Sequence, residues 1–76
     1  MRIVRTLIVE PVSDKQAVQN RISTSGLAEE TSFIDEKRVL AKISGKTLDA
    51  LKQTEKKIKS IEGVKNCTIL KTQYMP

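Results

Sequence analysis

The stretch from Arg38 to Tyr74, RVLAKISGKTLDALKQTEKKIKSIEGVKNCTILKTQY, decides the fold. It opens with a strand predicted over Arg38–Ser44, in which apolar and more polar residues alternate. A helix is predicted over Leu48–Ile61 and is stopped by Gly63, after which a second strand is predicted over Val64–Tyr74. The apolar residues of the helix recur at helical spacing, which places on one buried side Leu48, Leu51, Ile58 and Ile61.

This helix carries clear start signals. Thr47 is placed as its N-cap, and Asp49 lies in the first turn, where a negative charge suits the helix dipole. Glu55 falls at the border of the apolar stripe, and we expect it to pair with Lys52 or Lys59 on the same helix. The helix is therefore well specified by local signals.

The first half of the chain repeats the same plan more weakly. A strand is predicted over Arg2–Glu10, whose second half is apolar on both faces, and Pro11 ends it because proline cannot donate a ladder hydrogen bond. A helix is predicted over Asp14–Ser23, opened by a capping box of Ser13 and Gln16.

The end of this first helix and the next strand are also marked. Gly26 is placed to end the helix in a left-handed conformation. The segment 27–36 contains Ser32, Phe33 and Ile34 among polar neighbours, which predicts a partly exposed edge strand.

The order strand-helix-strand-strand-helix-strand predicts the fold class. It is typical of an α+β, ferredoxin-like βαββαβ sandwich, in which two helices pack on one face of a four-stranded antiparallel sheet. The 76 residues form one such domain, residues 1–76, with the more apolar first and third strands at the centre of the sheet. The opposite face is expected to be open, with Leu40 and Lys42 of the third strand on it.

Composition limits the core and the chemistry. Only Phe33 and Tyr74 are aromatic, so the core is thin and the chain is expected to associate with itself or with a larger partner. A single cysteine, Cys67, and the lack of histidine exclude an internal disulfide and argue against a metal site; we expect Cys67 to be buried and inert. No nucleophile has a plausible base beside it, so neither enzyme activity nor a cofactor is expected.

Charge and hydropathy indicate the compartment and the kind of partner. No apolar run approaches the ~20 residues of a membrane span, and no signal-peptide pattern opens the chain, so the prediction is a cytoplasmic protein without membrane contact. Fourteen basic residues against nine acidic ones give a net charge of +5, which favours anionic partners in general.

Two functional hypotheses follow, from different classes. The first is a non-catalytic peptide- or protein-binding assembly module, in which a partner segment adds to the edge strand or covers the open face. Its candidate residues are Glu30, Thr31, Ser32, Phe33, Ile34, Leu40 and Lys42. The alternative is an RNA- or DNA-associated accessory subunit of a larger complex, in translation or RNA modification, with phosphate contacts from Lys52, Lys56, Lys59 and Lys65. These lysines also suit a merely solvated helix face, since arginines and stacking aromatics are lacking around them.

A family resemblance bears on the first hypothesis. Residues 49–64, DALKQTEKKIKSIEGV, preceded by the apolar strand Val39 to Ile43, resemble the second half of NapD-type proteins. In the first half, Thr6 to Val9 and the Ser13-Asp14 helix start agree with the same family. The resemblance implies a small ferredoxin-like cytoplasmic chaperone that binds the twin-arginine signal peptide of a partner enzyme. The acidic cluster that could attract such a basic peptide consists of Glu29, Glu30, Asp35 and Glu36.

The last strand is expected to lie at an edge of the sheet. Strict alternation places Cys67, Ile69 and Lys71 on one face, and on the other Thr68, Leu70, Thr72 and Tyr74. An edge strand offers unpaired amide and carbonyl groups to another chain. We therefore predict a homodimer or a hetero-complex through this strand, with Leu70 and Tyr74 buried between copies.

Overall fold

The computed structural model describes all residues from 1 to 76. The elements, in chain order, are β1 (Arg2–Pro11), α1 (Lys15–Ser25), β2 (Glu30–Phe33), β3 (Val39–Gly45), α2 (Leu48–Lys59) and β4 (Val64–Met75). The strands form one antiparallel sheet in the order β2-β3-β1-β4. This arrangement confirms the ferredoxin-like α+β fold, with β1 and β3 central and β2 and β4 at the edges.

The core lies between the two helices and one face of the sheet, called here the helix face. Odd-numbered residues of β1 and β3 are paired across the two strands and supply most of it, because side chains alternate along a strand. Val18 and Ile22 of α1 and Leu51 and Ile58 of α2 close the core from above. The sheet contributes Ile3, Leu7, Val9, Val39, Ala41 and Ile43.

Helix α1 begins at Lys15, one residue later than predicted. Asp14, not Ser13, is the N-cap, and its Oδ1 accepts a hydrogen bond of 3.1 Å from the Ala17 backbone amide. The predicted capping box of Ser13 and Gln16 is therefore wrong. Serine and aspartate are both preferred N-cap residues, so residue type alone does not choose between Ser13 and Asp14. Gly26 ends the helix with φ +74°, as predicted.

Helix α2 has the predicted N-cap, Thr47, but ends before the last apolar residue of the predicted helix. Thr47 Oγ1 accepts a hydrogen bond of 3.1 Å from the Ala50 amide, and the helix ends at Lys59 with Ser60 as its C-cap. Gly63 then turns the chain into β4 with φ +92°. The predicted end at Ile61 was thus two residues too late.

The four apolar residues predicted to form the buried side of this helix are not equally buried. Leu51 and Ile58 are fully buried, whereas Leu48 keeps 42% of its surface exposed and Ile61 is only partly buried. At 100° per residue, Leu51 and Ile58 almost share a line facing the sheet, and Leu48 lies about 70° to one side of it, whereas Ile61 follows the end of the helix. The helical spacing of the apolar residues therefore predicts full burial correctly only for Leu51 and Ile58.

Strand β4 contains a bulge that changes which side chains share a face. Its Lys71 pairs with Thr6 and its Ile69 pairs with Leu7, so Leu70 has no partner on β1. As a result, Thr72 and Tyr74 share the helix face of the sheet with Cys67 and Ile69, while Lys71 lies on the other face. The predicted alternation is correct up to Leu70, which lies on the same face as Thr68, and is wrong from Lys71 onward.

Candidate protein-binding surface

The face of the sheet opposite the helices is uncovered, and we call it the open face. Pairing places there Thr6 of β1, Leu40 and Lys42 of β3, and Glu30 and Ser32 of β2. From β4 it receives Lys71 and Gln73, with Leu70 at the bulge. A shallow depression of about 260 Å³ lies at its centre and is lined by Thr6, Glu30, Ser32, Leu40, Lys42, Leu70, Lys71 and Gln73.

Only part of the predicted peptide-binding set comes together here. Glu30, Ser32, Leu40 and Lys42 all line the depression. Sequence reasoning missed Leu70, Lys71 and Gln73 as their neighbours, because the bulge that turns Lys71 to this face is invisible to strict alternation. A local signal for the bulge is absent from the sequence, since no glycine or proline interrupts the strand near Leu70.

The other predicted residues lie elsewhere. Thr31 faces α1, where its Oγ1 accepts a hydrogen bond of 2.7 Å from Gln19 Nε2. Phe33 is on the same side, with Lys15 Nζ 4.7 Å from its ring centre. Ile34 follows the strand and is 37% exposed. The two faces of β2 thus divide the predicted set between the open face and the contact with α1.

The acidic cluster is largely engaged in ion pairs within the chain. Glu30 pairs with Lys42 at 3.7 Å and Glu29 with Arg2 at 3.4 Å. In the turn after β2, Asp35 pairs with Arg38 at 2.9 Å. The backbone amide of Lys37, and after it the Arg38 side chain, hold the pKa of Asp35 below its usual 3.8.

These pairings leave one free cation on the open face. Lys71 lies in the depression beside Leu70, and no carboxylate is within ion-pairing distance of its ammonium group. Glu30 is already shared with Lys42. The depression therefore combines apolar surface with an unpaired positive charge.

The four lysines of the nucleic-acid hypothesis do not form one group. Lys52, Lys56 and Lys59 border a shallow depression of about 210 Å³ between α2 and β4, with Cys67 and Glu55 on its wall. Lys65 lines a separate depression near the turn between β2 and β3, together with Asp35, Lys37 and Arg38. The three helix lysines thus share a surface that Lys65 does not reach.

Glu55 pairs across the domain rather than along its helix. Its Oε1 accepts a hydrogen bond of 2.7 Å from Nη1 of Arg5, and Arg5 Nε donates to Thr72 Oγ1 at 2.9 Å. The expected pairing with Lys52 or Lys59 is therefore wrong. Arg5 lies on the helix face of β1 beneath α2, so it reaches Glu55 from inside the domain and leaves both lysines to solvent.

Cys67 lies half-buried against the core with its thiol in a protonated state. Burial, and after it the charge of Glu55, raises the pKa of this thiol from 9.0 to about 11. The thiolate is the reactive form, so the group is a poor nucleophile near neutral pH. In addition, no three Cys, Asp or Glu side chains of the chain lie close enough together to hold a metal ion.

Alkylation kinetics test this assignment. We expect native Cys67 to react with iodoacetamide at pH 7.5 more slowly than the same chain in urea, with a rate that rises as pH approaches 11. Because the folded pKa is raised, the linked stability is fully present below pH 9.0 and is lost as pH rises through about 11. Equal rates for the native and the unfolded chain would contradict the assignment.

Two further findings concern the chain as a whole. No helix is both long enough and apolar enough to cross a membrane. Compared with protein-family models, with curated proteins and with solved structures, the chain gives no match.

Proposed function

We propose that this chain is a non-catalytic protein-binding module, which receives an extended segment of a partner protein on its open face and a further strand at its sheet edge. The observation that carries the proposal is the depression on the open face, where Leu40 and Leu70 lie beside the unpaired Lys71. A four-stranded sheet with helices on one side leaves its other side for a partner.

The residues of the depression indicate the chemistry of the segment. Leu70 is 54% exposed and Leu40 is only partly buried, so both can bury further area against apolar side chains. Lys71 favours a carboxylate on the segment, whereas Glu30 already has Lys42 as an ion-pair partner. The segment that fits best is apolar with an acidic residue.

The resemblance to NapD-type chaperones suggests a different partner, a signal peptide with two arginines. Of the four carboxylates that would attract such a peptide, Glu29, Glu30 and Asp35 are each paired with a cation of the chain itself, and only Glu36 forms no ion pair. A twin-arginine peptide would have to displace Arg2, Lys42 or Arg38 from these pairs. The charge distribution therefore favours the acidic segment, and both peptides belong in the test.

An NMR titration with three synthetic decapeptides of the same apolar sequence tests the proposal. One peptide carries a central aspartate, one an arginine pair and one no charge. We expect amide shifts at Leu40, Lys42 and Leu70, with the tightest binding for the aspartate peptide. Lys71→Gln should weaken that binding by about two- to fivefold, as expected for an exposed ion pair.

The matched control is Lys56→Gln, which removes a lysine from α2 and should leave the affinity unchanged. Tightest binding by the arginine peptide would support a signal-peptide partner and overturn the charge argument. If none of the three peptides shifts an open-face amide, the peptide-binding function itself is contradicted.

A second candidate function is favoured by one observation on α2. Lys52, Lys56 and Lys59 take part in no ion pair, because Glu55 is bound to Arg5 instead. An exposed row of cations suits the phosphates of a nucleic acid. Binding of an oligonucleotide that shifts α2 amides and weakens steeply with salt would support this candidate over the first.

A further inference from the structure

Strand β4 is the longest unpaired edge of the molecule. This twelve-residue strand pairs with β1 on one side, and no strand lies on the other. The backbone amide of Cys67 donates to the Asn66 side chain at 2.9 Å, so this amide is satisfied without a second strand. An edge of this length is a template for another strand.

Exposed apolar side chains follow the same edge. Ile69, Leu70, Tyr74 and Met75 are 51%, 54%, 57% and 43% exposed. The strand carries only two charges, on Lys65 and Lys71, and no acidic residue. Burying these side chains would add apolar area to a domain whose own core is small.

We propose that the strand added at this edge is β4 of a second copy, paired antiparallel about a two-fold axis between Leu70 and Lys71. The inference rests on the protein-binding function proposed above and names the partner at its sheet edge. The two sheets then join into one continuous sheet. In each copy Leu70 and Lys71 line the open-face depression and also lie at the two-fold axis, so the depressions of the two copies adjoin.

The bulge selects this register. Residues directly opposite each other in an antiparallel pair share a face of the sheet. Along β4 the side chains alternate between the two faces, and this alternation shifts by one residue at Leu70. With the axis between Leu70 and Lys71, every residue from Asn66 to Met75 meets a residue of its own face. Cys67 then lies opposite Tyr74 of the other copy, and Ile69 opposite Thr72.

Other registers are less favourable. An axis at Leu70 places Cys67 opposite Gln73, although these two side chains lie on different faces. An axis at Thr68 matches the faces but sets Lys65 directly opposite Lys71, and like charges in that position are destabilising. In the proposed register each Lys71 lies opposite Leu70, whose side chain its aliphatic stem can cover.

Disulfide trapping tests both the dimer and its register. Opposite residues have Cβ atoms about 4.5–5.5 Å apart, near the separation that a disulfide requires. Mild oxidation of Tyr74→Cys should therefore yield a covalent dimer through Cys67 of the other copy. Gln73→Cys is the matched control, because residue 73 faces the other side of the sheet and should not be cross-linked.

Sedimentation of the reduced protein provides a second measurement that does not depend on the new cysteine. Leu70→Lys adds two cations beside the axis and should raise the dimer dissociation constant by about tenfold or more. Leu48→Lys, on α2, should not change it. A monomer at high micromolar concentration, or equal trapping of both cysteine variants, overturns the proposal. Because peptide binding to the open face is measured separately, such a result would leave that function standing.

Discussion

Leu51→Ala is expected to lower the free energy of unfolding by about 2–5 kcal/mol. Leu51 is fully buried between α2 and the sheet, so its truncation removes apolar contacts and leaves a cavity. A domain of this length has a total stability of only about 4–11 kcal/mol at typical values per residue. The variant should therefore lose a large fraction of its stability, and urea denaturation followed by circular dichroism would measure this loss as a lower midpoint.

Leu48→Ala is the matched control on the same helix. It makes the same chemical change, but Leu48 is 42% exposed and lies at the border of the apolar stripe. We expect a loss below about 1 kcal/mol. Similar losses for the two variants would mean that α2 is rotated relative to the packing described here.

Glu55→Leu is expected to destabilise the fold by about 1–3 kcal/mol. The side chains of Arg5 and Glu55 are only 11% and 22% exposed, so removing the carboxylate leaves a partly buried guanidinium with Thr72 as its one side-chain acceptor. Breaking a fully buried pair in this way costs about 3–5 kcal/mol, and the remaining solvent contact reduces that figure.

The double variant Arg5→Met, Glu55→Leu separates the cost of an unpaired charge from the loss of the pair itself. It removes both charges and should recover most of the lost stability, because apolar residues can replace a desolvated ion pair at little cost. Glu62→Leu is the control, since the carboxylate of Glu62 forms no ion pair. If the double variant is less stable than Glu55→Leu alone, Arg5 stabilises the fold even without its carboxylate partner, which contradicts a cost from the unpaired guanidinium.

The surface proposed to bind a peptide was only half predictable. Glu30, Ser32, Leu40 and Lys42 could be placed near one another because strand alternation and the order of the strands define the open face. Lys71 joins them only because β4 bulges at Leu70. No glycine or proline lies near Leu70 to mark that bulge, so the local sequence does not predict it.

Local signals in the sequence by themselves determined the order of the elements and most of their ends to within one residue. The apolar content of β1 and β3 placed them at the centre of the sheet, Thr47 capped α2, and Gly26 ended α1. Each of these outcomes depends on residues within a few positions of one another, so periodicity, capping and backbone conformation are enough to predict it.

Only the tertiary structure decided between alternatives that the local sequence does not distinguish, namely the ion-pair partner of Glu55 and which apolar residues of α2 are buried. Glu55 had two lysines within reach on its own helix, yet it pairs with Arg5, fifty residues away in sequence. Leu48 and Leu51 are the same residue type on the same stripe, and only Leu51 meets the sheet. In both cases the outcome depends on the angle at which α2 lies over β1 and β4, which is set by packing across the whole core.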